Sequence, residues 1–203
     1  MRKKSKIFLT VVMVLVVVVF SVPIVGAATH TVVRGDSMWK IATRYQVGVS
    51  EIINANPQIA NPNLIYPGQK LTVPEIDSTV ATYEQQVVDL VNEIRVKNGL
   101  SRLSVNWELS RVARYKSQDM ADRSYFSHTS PTYGSPFQMI KAFEISYQTA
   151  GENIAKGYRT PQAVVDGWMN SAGHRANILN ASFKAIGVGY SADGNHWTQM
   201  FIG

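Results

Sequence analysis

The sequence contains no cysteine and only four histidines. The absence of cysteine excludes disulfide bonds, thiol nucleophiles and thiolate metal ligands, so packing and hydrogen bonds have to hold the fold. Three of the histidines, His128, His174 and His196, lie within the last 76 residues. This clustering raises the question of whether the three residues form one site.

The N-terminus has the order of basic, apolar and small residues that is typical of a secretory signal peptide. It begins MRKKSK, continues through the uncharged residues 7–25 and ends in small residues. We expect residues 1–27 to be removed, with cleavage near Ala27 or Ala28. The alternative is a retained membrane anchor, because 19 uncharged residues are nearly long enough to cross a bilayer of about 30 Å. Both interpretations place the rest of the chain outside the cytoplasm.

Little excess charge of either sign remains once this leader is set aside. The leader carries four positive charges and no acid, so its removal lowers the formal net charge from +6 to +2. Without a basic stripe, the sequence argues against nucleic acid as a partner. An exported protein without cysteine favours a Gram-positive-type bacterium as its source.

Residues 29–74 predict a small module of strand, helix, helix and strand. The alternating segments THTVVRG and QKLTVP are its expected strands. Between them, DSMWKIATRYQ has apolar residues at helical spacing and begins with Asp36 or Ser37 as its cap. The shorter segment SEIINAN predicts a second helix with Ser50 as its cap.

This module resembles a LysM domain through V-x-x-GDS-x-W-x-IA, N-x-NP and NLIYPGQ-x-L-x-VP. The resemblance implies binding of a glycan that contains N-acetylglucosamine, either peptidoglycan or a chitin-like polymer. It places the glycan in a shallow groove between the GDSM and PNLIYPG loops. The groove residues that the resemblance implies are Gly35, Asp36, Ser37, Met38, Pro62, Asn63, Leu64 and Ile65. By contrast, His30 is expected to be a strand residue.

A polar linker, residues 75–82, precedes a second domain over residues 83–203. Its first helix is expected from TYEQQVVDLVNEIRVKNG, with Thr82 and Gln85 as a capping box. Further helices are expected in NWELSRVARYKSQDMADRS, PFQMIKAFE and TPQAVVDGWMNS. The chain ends in a predicted hairpin, KAIGVGYS and HWTQMFIG around ADGN. The fold class is therefore α+β, with helices around a small, largely antiparallel sheet.

Four polar landmarks mark this domain: His128, Glu152, His174 and His196. No H-E-x-x-H or similar local pair is present, so the residues alone leave two interpretations open. The histidines could bind zinc with a glutamate beside them, since a catalytic zinc needs only three protein ligands. Alternatively, the four groups could hold helices to the hairpin by buried hydrogen bonds.

The segments FSHTSP, GENIA, GWMNSAGHRANIL, IGVGY and HWTQMF resemble the CAP superfamily in its bacterial, SCP-like branch. That resemblance implies an α-β-α sandwich whose cleft carries two histidines and two glutamates and can hold a divalent metal. His128, Glu152 and His196 match three of these four positions. Ser171 stands where the second glutamate is expected, and His174 is three residues further on.

The two resemblances together imply a secreted protein associated with the cell wall or spore envelope. It would bind peptidoglycan through the LysM module and offer the CAP cleft to a ligand, a metal or an envelope or spore-coat protein. A cofactor, where one is used, would be zinc or another divalent metal on His128 and His196. Membrane contact is expected only through an uncleaved signal.

The alternative function is a metal-assisted hydrolase that acts on wall or extracellular peptide substrate. Glu152 would then act as the base, with His128 and His196 polarising the substrate and His174 as a further candidate. Glycoside hydrolysis ordinarily needs two acids, and the residue at position 171 removes one of them.

Overall fold

The computed structural model describes residues 26–203. The predicted signal peptide falls almost entirely on residues 1–25, outside the described residues. Strand β1 begins at Gly26, three residues before the expected start of the module. In the part of the chain that the structure describes, no helix is both long and apolar enough to cross a membrane.

The N-terminal module has the expected strand, helix, helix, strand order. Its elements are β1 (Gly26–Thr31), α1 (Met38–Tyr45), α2 (Val49–Asn54) and β2 (Lys70–Glu75). The two strands pair antiparallel, with His30 opposite Leu71. Fully buried Ile41, Ile52 and Leu71 form the centre of its small core. The buried side chain of Asn56 joins α2 to β2, since its amide donates to Ile52 O and Thr72 O at 2.7 Å.

One of the two helix caps in the module differs from the prediction. Ser37 caps α1, as expected, by accepting the N–H of Lys40 at 3.3 Å. Ser50 does not cap α2, because the helix already begins at Val49. Instead, the Glu51 carboxylate accepts the N–H of Gly48 at 2.9 Å, so an acid inside the first turn satisfies the orphan donor.

The C-terminal domain places helices on both faces of a four-stranded sheet. Its elements are α3 (Ser78–Lys97), β3 (Ser104–Val105), α4 (Trp107–Asp122), α5 (Pro136–Ala142), β4 (Ala150–Lys156), α6 (Pro161–Asn170), α7 (Ala172–Ile178), β5 (Ala185–Ser191), a 3-10 turn (Asp193–Asn195) and β6 (His196–Ile202). The strand order is β3-β5-β6-β4, with β5 and β4 both antiparallel to β6. The expected hairpin is confirmed, whereas β3, β4 and α7 were not predicted.

The first helix of this domain begins earlier than expected. It starts at Ser78 with Asp77 as its cap, and the Asp77 carboxylate accepts the N–H of Thr79 at 2.8 Å. The predicted cap Thr82 is therefore wrong, and its hydroxyl donates to Ser78 O inside the helix. Only the first part of residues 75–82 connects the two units without helical structure.

Helix α4 lies unusually close to the sheet because β5 offers it two glycines. A Cβ on Gly187 would overlap the backbone at Leu109, and a Cβ on Gly189 would overlap the backbone at Ala113. On the opposite face, Trp197 packs in a separate apolar cluster with residues of α3 and α6. The sheet is thus the middle layer of an α-β-α sandwich.

We expect Gly189→Ala to lower the free energy of unfolding by about 3 kcal/mol, because the obstacle is helix backbone that cannot rotate away. Urea unfolding followed by circular dichroism measures this difference. Gly173→Ala is the matched control, since no atom lies within 4 Å of its added Cβ and alanine favours the helix. Equal stability of the two variants would contradict the close packing of α4 on β5.

Candidate functional site

Two loops of the N-terminal module lie side by side. The N–H of Val32 donates to Gln69 O and the N–H of Gly68 donates to Val32 O, both at 2.8 Å. These bonds extend the β1–β2 ladder and bring residues 33–37 next to residues 60–67. These bonds bring together the bases of the two loops, and the groove between the GDSM and PNLIYPG segments stays a prediction.

Most of the predicted groove residues face outward. Gly35 has a φ of +92° and open space around it, so its backbone is accessible. Leu64 is 51% exposed, an unusual fraction for a leucine. The other accessible predicted residues are Ser37 and Asn63, which are exposed, and Pro62 and Ile65, which are half-buried.

Asp36 and Met38 point into the module, which corrects the prediction that they contact glycan. Met38 is 6% exposed and belongs to the module core. The Asp36 carboxylate accepts the N–H of Val33 at 3.0 Å and that of the His30 ring at 2.8 Å. The Val33 N–H and His30 hold the pKa of Asp36 below its usual value. Both side chains therefore stabilise the loop from its inner side. His30 is a strand residue, as expected.

The second candidate site lies in the C-terminal domain, where His128 meets Glu152. Nδ1 of His128 donates to Oε1 of Glu152 at 2.7 Å. The imidazole is 53% exposed, whereas the carboxylate on β4 is buried. Oε2 of Glu152 is buried and has no hydrogen-bond partner in the described part of the chain. The pair thus joins a solvent-facing ring to a buried acid with one free acceptor.

Lys116 of α4 holds the loop that carries His128. Its buried ammonium donates to Ser127 O at 2.8 Å and to His128 O at 2.9 Å. Burial lowers the pKa of Lys116, while nearby Glu152 and Asp119 raise it. This residue was not predicted, because a lysine within a helical pattern is ordinarily an exposed one.

His174 is close enough to His128 for the two rings to interact electrostatically. Burial and the neighbouring His128 lower the pKa of His174. The helix that carries it is tied to β4, since the Asn153 amide donates to His174 O at 3.1 Å. The Asn177 amide donates to Glu152 O at 3.2 Å and to Oδ1 of Asn153 at 2.8 Å. These amides act as structural groups that bring α7 against the strand.

His196 is not placed with the other predicted site residues. In the β4–β6 register Glu152 pairs with Met200 and Lys156 pairs with His196. His196 is thus four positions away, about 13 Å along the strand. Its Nδ1 donates to Asp193 O at 2.8 Å, and its buried Nε2 has no partner among residues 26–203. His196 lies at the turn end of the β5–β6 hairpin. The β4–β6 register therefore separates its ring from His128 and Glu152.

The residues present do not assemble the metal site that was expected from His128 and His196. Across residues 26–203, no group of three or more acids and histidines is arranged to hold a metal ion. One imidazole nitrogen of each histidine is already committed, to Glu152 in one case and to a carbonyl in the other. Ser171, at the position of the missing glutamate, lies between α6 and α7 and adds no carboxylate.

Comparison with known proteins finds two families in this chain. The profile of the CAP family, described as the cysteine-rich secretory protein family, matches residues 88–202, more than half of the chain. The chain belongs to the CAP family. The LysM domain matches residues 30–74, so this CAP protein carries both domains.

Its relatives include bacterial proteins of greater length. YkwD, an uncharacterized protein of Bacillus subtilis (strain 168), is 59% identical over 132 residues, which are 65% of this chain and 51% of YkwD. SpoIVD-associated factor A, also of Bacillus subtilis, is 53% identical over 45 residues, 22% of this chain and 12% of that protein.

A solved extracellular protein containing an SCP domain, from Bacillus anthracis str. Ames, has 36% identity and a TM-score of 0.59. The match covers 67% of this chain and 47% of that protein. This CAP protein therefore spans about half the length of YkwD and of the solved protein.

We expect His174 to titrate below the ordinary histidine pKa of 6.5, because burial and a second imidazole disfavour its charged form. Replacing His128 by Gln should raise the pKa of His174, since one of the two causes is then removed. NMR titration of the imidazole signals measures both values. Arg175→Gln is the control, because that side chain points away to Met169 O and should leave the value unchanged. A His174 pKa that does not respond to the loss of His128 would contradict their proximity.

Proposed function

We propose that this CAP protein is exported and binds glycan that contains N-acetylglucosamine, as found in peptidoglycan, through its LysM module. The carrying observation is the pair of adjacent loops fixed by Val32, with accessible Gly35 on the first loop and exposed Leu64 on the second. Backbone groups beside an exposed apolar side chain suit a sugar ring, which presents polar edges and an apolar face.

The relatives support a place in the cell envelope. The solved Bacillus anthracis relative is an extracellular protein, and SpoIVD-associated factor A shares a stretch as long as the LysM match. We extend these features to this chain as a proposal: it is associated with the cell wall or with a layer of the spore envelope, where it meets coat or envelope proteins.

The CAP cleft, in this proposal, binds a ligand rather than cleaving one. The half-exposed His128 ring, which donates its Nδ1–H to Glu152, leaves Nε2 for a group that donates a hydrogen bond, and His174 adds a second imidazole. Lys116 fixes the backbone behind them, so the arrangement is set before any ligand arrives.

The hydrolase alternative lacks a second acid in this cleft. Glu152 is paired with His128, and Ser171 replaces the other expected carboxylate. The neighbouring buried acid, Asp119, already accepts the hydroxyls of Tyr125, Ser130 and Thr132. A mechanism with two carboxylates therefore has one free candidate where it requires two.

Binding can be tested by sedimentation of a chain that begins at Gly26 with purified peptidoglycan. We expect Leu64→Asp to weaken binding about tenfold, because it removes an apolar contact and adds a charge on the groove. Val105→Asp is the matched control, since Val105 is also 51% exposed but lies on β3 of the other domain. Failure of the unaltered chain to sediment would overturn the assignment of the LysM groove.

Catalysis can be tested by incubating purified peptidoglycan with the same chain and with Glu152→Gln. We expect neither protein to release soluble fragments, because a single buried carboxylate paired with His128 does not supply both acid and base. Fragments released by the unaltered chain but not by the variant would establish the hydrolase instead. Sedimentation of the variant confirms that its LysM module remains intact.

A further inference from the structure

A cavity of about 570 Å³ lies between the LysM module and the CAP domain. Its volume is within the range of small-molecule sites in proteins. The LysM side contributes Trp39 and residues 47–50, and the CAP side contributes Trp107, Tyr133 and Phe143. The cavity is thus bounded by both domains, and neither family assignment accounts for it.

The walls of this cavity are held together by an ion pair that crosses the domain boundary. Nε of Arg111 donates to Oε1 of Glu51 at 2.6 Å, and the Tyr115 hydroxyl donates to the same oxygen at 2.8 Å. The Arg111 guanidinium also lies 5.0 Å from the centre of the Phe143 ring. A Cβ on Gly48 would overlap this guanidinium, so a larger residue there would displace the arginine side chain. Side chains of both domains thus contact each other at the cavity wall.

The chemistry of the lining favours a neutral, amphipathic ligand. Four aromatic residues line the CAP side, namely Trp107, Tyr115, Tyr133 and Phe143, and Trp39 on the LysM side is 66% exposed. The exposed carboxylates of Glu108 and Glu144 also border the cavity. The positive charge of Arg111 is matched by Glu51, so an anionic ligand would meet net negative surroundings. Carboxylates that accept hydrogen bonds from hydroxyl groups, next to aromatic faces, suit an uncharged sugar.

The proposed glycan groove and the cavity come close to each other at the start of α1. The groove loop ends at Ser37, which caps α1, and Trp39, which lines the cavity, belongs to the first turn of that helix. Because Ser37 and Trp39 are only two residues apart, a glycan chain in the groove would lie near the cavity.

We propose that this cavity is a second sugar subsite, in which the CAP domain extends the LysM groove and binds further residues of a neutral N-acetylglucosamine oligomer. This inference rests on the proposed function, because the first sugar residues lie in the LysM groove. It assigns the CAP domain a direct role in glycan binding, with Trp107 as its aromatic contact and Glu108 as its hydroxyl acceptor.

Calorimetry with the trimer and the hexamer of β-1,4-linked N-acetylglucosamine tests the subsite in a chain that begins at Gly26. The unaltered chain should bind the hexamer about tenfold more tightly than the trimer, since only the hexamer reaches the aromatic wall. Trp107→Ala should remove most of this gain and leave trimer affinity unchanged. Glu108→Ala, at an exposed position, should reduce the gain in the same direction. Phe137→Ala is the control, because this exposed ring lies outside the cavity.

The possible outcomes separate the two proposals. A hexamer affinity that is the same in the unaltered chain and in both cavity variants would overturn the subsite, while trimer binding that still depends on Leu64 would keep the LysM assignment. Binding of neither oligomer by the unaltered chain would overturn both. Binding of a peptide in the cavity, detected as Trp107-dependent affinity for wall stem peptide without sugar, would replace the sugar by another ligand and also overturn the subsite.

Discussion

The contact of α4 with two glycines of β5 is the constraint on which the rest of the structure depends. With no side chain at Gly187 or Gly189, the helix backbone lies directly against the strand. The buried Ser117 hydroxyl makes hydrogen bonds with Gly189 O and the Thr198 hydroxyl, both at 2.9 Å. These bonds fix the rotation of the helix about its axis as well as its distance from the sheet. A helix that is fixed in both respects gives each of its other side chains a defined direction.

Side chains of α4 contact the loop that carries His128, helix α3 and the LysM module. Lys116 holds the carbonyls behind His128 and so places the exposed ring of the CAP cleft. Arg114 meets the Glu84 carboxylate with two contacts, at 2.8 and 2.9 Å, and ties α3 to the same helix. Burial raises the pKa of Glu84, and the positive charge of Arg114 opposes that effect. Arg111, one turn earlier, packs on Phe143 of its own domain and contacts Glu51 of the LysM module.

The sequence predicts features that are decided within one turn of the chain. The helix starts at Pro136 and Pro161 were predicted because a cap and a proline act locally. Strand β4 was missed because buried Glu152 interrupts the apolar pattern of the strand. The hydrogen-bond partner of Glu152, His128, is 24 residues away in the sequence, so the local pattern gives no sign of the pair. His196 was misplaced because motif order does not give the β4–β6 register. The inward direction of Met38 was also misjudged, although its helical spacing with the core residues of α1 already indicated burial.

The coupling of the two domains depends on the two oxygens of one carboxylate. Oε2 of Glu51 accepts the Gly48 N–H and fixes the first turn of α2, while Oε1 accepts from Arg111 and Tyr115 on α4. Burial and Glu51 together raise the pKa of Tyr115, so its hydroxyl remains a donor at neutral pH. Side-chain contacts between α2 and α4 thus join the LysM module to the CAP domain, in addition to the short connection between them. If the module holds glycan as proposed, the Glu51 carboxylate also helps to orient the CAP cleft relative to the wall. Both the LysM module and the loop that carries His128 contact side chains of α4.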